Sequence, residues 1–325
     1  MSESESPFTY GSAYEAEDAL TRHYGLGADL YKTWGSPVSV LSAVLRGWAK
    51  SDHPAQLHYA WDLEKARSLD AGIRGMTETV LSLLDLANQE GVEVFDAGCG
   101  LGGATTQAAR SFPRQRWVGM SLVESQIQTA RERATSQRLA NVEFVHGNYL
   151  DTNFEESRFA GAFAIETICH IPDSEKPRAF AELRRILKPG AKLVVMDGVR
   201  LRDARDEGEL RTMTDILEGW TLPLASMEAD MARYALEAGF EIVIREDVSS
   251  HVLASSTRIY NINRYLLRPL SRLARLPALR SVAARLGFVS QVTAERFIDA
   301  CVAQREVLTN GLAAYYCYVF RRPED

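Results

Sequence analysis

The chain has 325 residues, of which 46% are hydrophobic and 25% charged, and its formal net charge is −6. This composition is typical of a globular protein and excludes a fibrous or disordered chain, and the acidic balance argues against a protein built as a whole to bind nucleic acid. The sequence has no run of about eighteen apolar residues, so it predicts no transmembrane helix. Its four cysteines form no C-x-x-C pair, which favours free thiols in the cytoplasm over disulfides or a zinc site.

The first 90 residues are predicted to form a helical N-terminal cap, because they carry no strand signal. Between Trp61 and Glu90, apolar residues recur at intervals of three and four, which gives a helix one apolar face. Gly72 and Gly75 weaken the middle of this helix, and the sequence leaves a break there open. The acidic N-terminus lacks the apolar stretch of a signal peptide, so a cytoplasmic location is expected.

Residues 91–250 alternate between strand and helix patterns and are predicted to form an α/β core. This alternation implies a doubly wound sheet with parallel strands and with ligands bound at the carboxyl ends of the strands. Asp173 is expected to cap a helix, and the LKPGAKL segment at 187–193 is expected to be a turn. The predicted strands are Val92–Ala97, Arg116–Met120, Val142–His146, Phe159–Ile165, Lys192–Asp197 and Phe240–Val248. The predicted helices are Gly103–Ser111, Val123–Arg138, Ser174–Leu187, Asp206–Trp220 and Glu228–Ala238.

Residues 251–312 are predicted to be a late helical insertion or lid, and residues 313–325 the final strand of the core. The segment is much longer than a hairpin loop, and no acidic residue occurs between Asp247 and Glu295. Arginine binds phosphate through paired hydrogen bonds, so the segment favours a lid that covers the diphosphate group of a substrate. A solvated amphipathic surface and a subunit interface are the alternative interpretations of this segment. Because an interface is one of them, the sequence leaves open whether the chain forms homo-oligomers. The arginines are Arg258, Arg264, Arg268, Arg272, Arg275, Arg280 and Arg285.

The most informative segment is VEVFDAGCGLGG, Val92–Gly103, in which a short apolar strand ends in a glycine-rich turn before a helix. Such a turn offers bare backbone N–H groups and the positive end of the helix to a charged ligand. The glycines also satisfy the dinucleotide pattern G-x-G-x-x-G, which alone is weak evidence. A dinucleotide site needs an acidic residue at the end of the second strand, but that strand ends in Met120 and Ser121. Asp96, just before the first glycine, is instead placed to face a cationic group.

VFDAGCGLGG resembles motif I of the class I S-adenosylmethionine (SAM)-dependent methyltransferases. The resemblance implies a Rossmann-like α/β fold with a seven-stranded sheet, and SAM as the cofactor. It assigns SAM binding to Asp96, Gly98, Gly100 and Gly102. A nicotinamide cofactor is the alternative, and the missing acid after the second strand disfavours it.

Two further segments extend the resemblance. GMSLVESQIQTARERA is similar to the segment after the second strand of sterol, tocopherol and small-terpene C-methyltransferases, which implies that Ser121 and Gln126 contact SAM. HGNYLD places Asn148 where the wider fold often has an aspartate beside adenine, and an amide can both accept and donate there. The same segment adds Tyr149 to the predicted site. Ordinary loop and helix polarity is the alternative for these side chains.

The segment AFAIETICHIPD, residues 162–173, closely resembles a run in sterol C-24 methyltransferases. It ends the predicted fourth strand, which puts Glu166 and His170 where acceptor and SAM must meet. Methylation of an alkene leaves a carbocation, a carboxylate offsets that charge, and either side chain can remove the proton that ends the reaction. Glu166 is therefore the predicted catalytic carboxylate and a SAM contact, and His170 is a second catalytic candidate. A helix cap or an ion pair with arginine is the structural alternative for Glu166.

The segment HYGLGADLYKTWG contains Tyr31 and Trp34 and is similar to a Tyr-x-x-x-Trp-Gly block of sterol and tocopherol enzymes. Aromatic faces stabilise a nearby cation by about 0.5–2 kcal/mol each and exclude water, so both side chains are predicted to line the carbocation. Core packing is the alternative. The stretch SPVSVLSAVLRGWAKSDHPAQ separates this block from His58 and departs from the family pattern.

Taken together, these resemblances imply a SAM-dependent C-methyltransferase that acts on a terpenoid double bond. A prenyl diphosphate is the predicted acceptor, and any Mg²⁺ would arrive with it, because the sequence shows no metal-binding box. The first alternative is a prenylated aromatic or alkaloid acceptor, with or without cyclisation after methylation. The others are an O- or N-methyltransferase with His170 as the base, and a SAM-binding protein without catalysis.

Overall fold

The computed structural model describes residues 56, 58–86, 89–274 and 291–324. Most of the predicted N-terminal cap lies outside the described residues, as do Tyr31 and Trp34. The same holds for Arg275, Arg280 and Arg285 of the predicted insertion.

A seven-stranded sheet forms the core of the fold. Its strands are β1 (Glu93–Ala97), β2 (Arg116–Ser121), β3 (Val142–His146), β4 (Phe159–Ile165), β5 (Leu187–Arg200), β6 (Glu241–Asp247) and β7 (Ala313–Arg321). They lie in the order β3-β2-β1-β4-β5-β7-β6. Strands β1 to β5 pair in parallel, and β7 is antiparallel to both of its neighbours. The predicted seven-stranded α/β sheet is therefore confirmed.

Helices connect and cover the strands. They are α1 (Leu69–Leu83), α2 (Gly103–Ser111), α3 (Glu124–Ser136), α4 (Lys176–Ile186), α5 (Glu207–Trp220), α6 (Glu228–Glu237), α7 (Ser249–Ile262), α8 (Arg268–Ala274) and α9 (Gln291–Thr309). A π-helical turn, Asn263–Leu267, joins α7 to α8, and a 3₁₀ turn, Ile168–His170, follows β4. None of the described helices combines the length and the apolar character that a membrane crossing requires.

The core lies on both faces of the sheet, because successive residues of a strand point to opposite sides. Val94 packs with Trp117 and Phe163 in one apolar cluster. The next residue, Phe95, packs with Phe159 in the other cluster, with 5.2 Å between the ring centroids. Helices cover both faces, and β4 is buried along nearly its whole length.

The order of the strands decides where a ligand can bind. From β1 the chain continues to β2 and β3 on one side, and it then returns to β4 on the other side of β1. This change of direction opens a crevice at the carboxyl ends of β1 and β4, which is the usual ligand site of such sheets. The glycine turn follows β1, and Glu166 follows β4.

Helix α1 runs without a break through its two glycines. A Cβ atom at Gly72 would lie 2.9 Å from the Cβ of Ala60. This glycine therefore lets the preceding chain cross close to the helix.

Two local predictions were wrong. The segment LKPGAKL is not a turn but the start of β5, where Leu187 pairs with Phe159 and the N–H of Gly190 donates to the carbonyl of Arg322. Partners on both sides keep this segment extended despite its proline and glycine. Asp173 does not cap α4, because its carboxylate accepts instead from Lys176 Nζ, at 3.1 Å, and from the hydroxyl of Ser226.

The tight packing at Gly102 generates a stability prediction. Gly102 and Gly91 both have positive φ, of 75° and 68°. A Cβ at Gly102 would lie 2.7 Å from atoms of Ala130 and Phe144, whereas nothing lies within 4 Å of one at Gly91. Gly91→Ala is expected to lower the free energy of unfolding by about 1 kcal/mol through backbone strain alone. Gly102→Ala should lower the free energy of unfolding by about 1–3 kcal/mol more than Gly91→Ala does, because its added methyl group overpacks the site. Urea unfolding of both variants measures the difference, and equal losses would contradict the packing role of Gly102.

Candidate active site

The glycine turn after β1 is held against two neighbouring segments. The amides of Gly98 and Cys99 donate to the carbonyl of Met120 at 3.1 and 2.8 Å. A Cβ at Gly98 would lie 2.1 Å from Thr167 Oγ1, so only glycine allows the turn to approach the loop after β4 so closely. At Gly100, with φ of 50°, nothing in the described part of the chain lies within 4 Å of the position that a Cβ would take, so the backbone there is open toward the described residues.

A cavity of about 920 Å³, here named the glycine-turn cavity, opens beside this turn. The predicted site residues that line it are Asp96, Gly98, Gly100, Ser121, Gln126, Tyr149, Glu166 and His170. Gln56, His58 and Thr167 also line it, and the sequence did not predict a contact with the cofactor for any of them. Thr167 could have been noticed, because it follows Glu166 directly at the end of β4.

Two predicted cofactor residues do not belong to the lining of this cavity. Gly102 precedes α2, and its lack of a side chain lets α3 and Phe144 pack closely. Asn148 uses Oδ1 to accept from the N–H of Leu150 at 2.9 Å, which stabilises its own loop. Both residues therefore have a structural explanation in the fold.

Polar partners orient the side chains of the glycine-turn cavity. The buried carboxyl of Asp96 accepts from the hydroxyl of Thr105 at 2.6 Å, and its burial raises the pKa to about 7. Ser121 donates to Gln126 Oε1 at 2.8 Å and accepts from the N–H of Val123. A carboxyl with so high a pKa favours a cationic partner, because positive charge would recover part of the lost solvation.

A second cavity of about 950 Å³, here named the apolar chamber, adjoins the first. Glu166 and His170 line both cavities and therefore mark their junction. The apolar part of the chamber comes from Val199 on β5, from helices α5 and α9, and from the start of β7. Its large apolar side chains are Met213, Ile216, Leu217, Trp220, Leu222, Val307 and Leu308.

Glu166 is held in an unusual conformation at the junction. Its φ of 50° is in the left-handed region, which is costly for a residue with a side chain. Its N–H donates to the carbonyl of Met196 at 2.8 Å. Its Oε1 accepts from the N–H of Tyr59 and from the hydroxyl of Tyr315, each at 3.0 Å. Within the described part of the chain, these bonds occupy one carboxyl oxygen and leave Oε2 available to a substrate.

The environment of Glu166 disfavours its ionised form. Loss of solvation on burial raises the pKa of Glu166 to about 8, and the nearby carboxyl of Asp197 raises it further. The hydrogen bonds from Tyr59 and Tyr315 act in the opposite direction without cancelling the effect of burial. A raised pKa beside a cavity is typical of a functional carboxyl.

Another buried carboxyl, that of Asp197 on β5, was not identified from the sequence. Its Oδ2 accepts from the N–H of Cys169 and its Oδ1 from the N–H of Gly198, each at 2.9 Å. Burial raises the pKa of Asp197. Because Cys169 lies in the turn between Glu166 and His170, this contact anchors that turn to β5.

Two tyrosines form an aromatic wall beside Glu166. The rings of Tyr59 and Tyr315 meet edge to face with 5.5 Å between their centroids. The hydroxyl of Tyr59 also donates to Gln304 Oε1 on α9 at 2.5 Å. Tyr315 was missed because its strand is far from the motifs in sequence and reads as ordinary core. The predicted Tyr31 and Trp34 lie outside the described residues, so their roles stay predictions.

The arginines that suggested a diphosphate site do not line the apolar chamber where they are described. Arg258, Arg264 and Arg272 are exposed, and Arg268 pairs with Asp299. Among the described residues, no group of three or more His, Cys, Asp or Glu side chains is arranged to hold a metal ion.

The glycine turn and Glu166 lie in a segment that matches a known family. The family described as Methyltransferase domain matches residues 94–190, from β1 to the start of β5. Residues 94–190 thus form a methyltransferase domain. The resemblance to sterol C-methyltransferases is confirmed by relatives of that kind.

Two plant C-methyltransferases are similar in sequence to this chain. The 24-methylenesterol C-methyltransferase 2 of Arabidopsis thaliana is 31% identical over 242 residues, which cover 74% of this chain and 60% of that protein. The cycloartenol-C-24-methyltransferase of the same plant is 27% identical over 328 residues, which cover 94% of this chain and 88% of that protein. The match to the first of these thus spans less than two thirds of that relative.

A solved structure shares the fold of this chain. It is the geranyl diphosphate C-methyltransferase from Streptomyces coelicolor A3(2), in complex with Mg²⁺, geranyl diphosphate and S-adenosyl-L-homocysteine. The two structures agree with a TM-score of 0.63 at 17% sequence identity, over 94% of this chain and 97% of that chain.

The raised pKa of Glu166 predicts how stability depends on pH. The pKa of this carboxyl is about 8 in the folded protein and 4.5 in the ordinary solvated state. Between these values the folded state holds a proton that the unfolded state has released, so this carboxyl destabilises the fold as the pH rises through that window. Glu166→Gln keeps an oxygen for Tyr59 and Tyr315 and removes the penalty. The melting temperature of Glu166→Gln, relative to that of the wild type, should therefore increase as the pH rises from about 5 to about 9.

Glu132→Gln, an exposed site on α3, is the matched control for this experiment. Its melting temperature should differ from that of the wild type by the same small amount at every pH. A Glu166→Gln curve that runs parallel to the wild-type curve would show that the carboxyl has an ordinary pKa.

Proposed function

We propose that this protein is a SAM-dependent C-methyltransferase that methylates a double bond of an isoprenoid. The observation that supports this function most strongly is the position of Glu166, a half-buried carboxyl at the junction of a polar cavity beside the glycine turn and an apolar chamber. Methyl transfer to oxygen or nitrogen needs only a base near the acceptor. A carboxyl inside an apolar chamber suits a reaction that creates positive charge on carbon.

The glycine-turn cavity fits SAM. The open backbone at Gly100 leaves room for a ligand against the turn, and Asp96 supplies a buried acceptor for a positive charge. Ser121, Gln126 and Tyr149 complete the polar lining. SAM, when bound, supplies an electrophilic methyl group.

The apolar chamber fits the hydrocarbon part of the acceptor. Side chains such as Ile216, Leu217 and Val307 bury an isoprenoid by the hydrophobic effect and exclude water. Exclusion of water matters because water would trap a carbocation as an alcohol. The rings of Tyr59 and Tyr315 add polarisable faces beside the same space.

Glu166 performs two tasks in this proposal. When the double bond of the acceptor has taken up a methyl group, an adjacent carbon carries positive charge, which the Glu166 carboxylate offsets. The carboxylate then removes a proton from the neighbouring carbon, the C–H electrons form the new double bond, and Glu166 is left neutral. Its Oε2 is suited to this task because Oε1 already accepts from Tyr59 and Tyr315. His170, which also lines both cavities, is the second candidate base.

The finer identity of the acceptor remains part of the proposal. A prenyl diphosphate agrees with the arginine-rich insertion and with the ligand of the Streptomyces structure, and Mg²⁺ would then accompany the diphosphate. The described chamber accounts for the prenyl chain alone, because the described side chains that line it include no lysine or arginine to bind a diphosphate. A prenylated aromatic or alkaloid acceptor, with or without cyclisation, is the runner-up.

A product assay tests the proposed function. The protein and SAM are incubated with geranyl diphosphate with and without Mg²⁺, with geraniol, with a prenylated indole and with a sterol, and products are identified by mass spectrometry and NMR. A new methyl group on carbon, in an open-chain or cyclised product, is the expected result. O-Methyl geraniol or an N-methylated indole as the main product would contradict it. Turnover of the indole but not of the diphosphate would select the runner-up acceptor.

Replacement of Glu166 predicts a specific kinetic defect. Glu166→Gln should lower kcat about 10²- to 10³-fold, because a neutral amide offsets positive charge poorly and cannot accept the proton. Binding of S-adenosylhomocysteine, followed by calorimetry, should change by less than about 3-fold, since this product lacks the sulfonium charge. Glu132→Gln is again the control and should keep wild-type turnover. Near-wild-type kcat in Glu166→Gln would remove the carbocation mechanism.

A further inference from the structure

Two buried polar atoms in the glycine-turn cavity have no hydrogen-bond partner among the described residues. They are Oε1 of Gln56 and Nε2 of His58. Both side chains line the cavity, although only 3% of Gln56 and 5% of His58 is exposed. A buried polar group without a partner costs on the order of 1–3 kcal/mol, so a ligand that supplies the partner would recover this loss.

The hydrogen bonds of His58 identify its unpartnered nitrogen as an acceptor. Its Nδ1 lies 2.9 Å from the carbonyl oxygen of Tyr59, which can only accept, so Nδ1 carries the proton. Burial lowers the pKa of His58 to about 4, which keeps the ring neutral. Nε2 therefore presents a lone pair to the cavity.

The orientation of Gln56 follows from a chain of two amides. Gln107 Nε2 donates to the carbonyl of Arg74 at 3.0 Å, so its Oε1 is the atom that faces Gln56. Gln56 Nε2 donates to that oxygen at 2.8 Å. The oxygen of Gln56 is consequently its unpartnered atom, and it too is an acceptor.

The hydrogen-bond partners of the two acceptors indicate that both acceptors belong to the same end of the cavity. Gln56 is bound to α2, the helix that also supplies the Thr105 partner of Asp96. His58 is bonded to Tyr59, whose N–H contacts Glu166 after β4. The end of the cavity near β1 and β4 is thus rich in acceptors. Ser121, Val123 and Gln126, after β2, line a different part, because β2 lies on the far side of β1 from β4.

We propose that Gln56 Oε1 and His58 Nε2, together with Asp96, bind the α-ammonium group of the methionine part of SAM. This inference rests on the proposed function. An ammonium group offers three N–H donors, which match these three acceptors, and none of the donors would be left unpaired. The adenosine part then lies toward Ser121 and Gln126.

The same segment connects the cofactor to the catalytic carboxyl. The carbonyl of Tyr59 accepts from His58, and the N–H of Tyr59 donates to Glu166. A ligand bound to His58 therefore restrains the residue that orients Glu166. His58 is a binding residue for the cofactor and a positioning residue for Glu166.

Calorimetric titration with three ligands tests the inference. The ligands are S-adenosylhomocysteine, its deaminated analogue with hydrogen in place of the amine, and 5′-methylthioadenosine, which lacks the amino-acid portion. Wild type should bind S-adenosylhomocysteine about 10- to 100-fold more tightly than the deaminated analogue, as expected for charge-assisted hydrogen bonds. His58→Phe and Gln56→Leu should each reduce this ratio, and they should leave the affinity for 5′-methylthioadenosine unchanged.

Two further variants complete the experiment. His58→Gln, which restores an acceptor, should recover part of the ratio, and His251→Phe, a histidine outside the lining of the cavity, should leave it intact. An unchanged ratio in both His58→Phe and Gln56→Leu would overturn the inference while leaving the proposed function in place. Failure of the wild type to bind S-adenosylhomocysteine at all would overturn both.

Discussion

The partial desolvation of one carboxyl, that of Glu166, is the constraint on which the site depends. Low exposure opposes its ionisation, and two hydrogen bonds from described residues, both to Oε1, partly offset that cost. The donors come from distant parts of the chain, since Tyr59 precedes the core and Tyr315 belongs to the last strand. The backbone of Glu166 is held by β5. The carboxyl thus keeps its place only when the sheet is complete.

The electrostatics of this arrangement make the carboxyl responsive to positive charge. With a pKa of about 8, Glu166 is largely neutral at pH 7 when no cation is near. A cation in the glycine-turn cavity or on the acceptor would lower this pKa and favour the anion. Because the chamber is apolar, the attraction between such charges is stronger there than in water. Glu166 is therefore ionised mainly when a cation is near, which is the step at which its negative charge is needed.

Local motifs made much of this site predictable. The glycine turn and the segment around Glu166 each combine a strand end with the chemistry of a few adjacent residues, and the alternation of apolar runs indicated which strand ends would meet. The bounds of α2 and of strands β3 and β4 were read correctly because their periodicity is strong and their ends carry clear signals.

Other features depend on contacts between distant residues and left no local signal. Tyr315 and Asp197 reach the site through strand pairing, in which Tyr315 lies opposite Gly198 in the register of β5 and β7. The segment that begins β5 has the composition of a turn, yet partners on both sides keep it extended. The sequence places Gly102 in a ligand-binding motif, whereas in the structure it allows a helix to pack closely against the turn. A single sequence shows composition and periodicity, but it does not show which remote side chains will share a cavity.

The affinity for a stable cation measures the central claim most directly. An isoprenoid in which a tertiary ammonium nitrogen replaces the carbon that would carry the positive charge mimics the carbocation, and its neutral hydrocarbon isostere has nearly the same shape. In the presence of S-adenosylhomocysteine, wild type should bind the ammonium compound at least about 100-fold more tightly than the isostere, and Glu166→Gln should lose most of this preference. Equal affinities in the wild type, or a preference that survives in Glu166→Gln, would contradict the role given to this carboxyl.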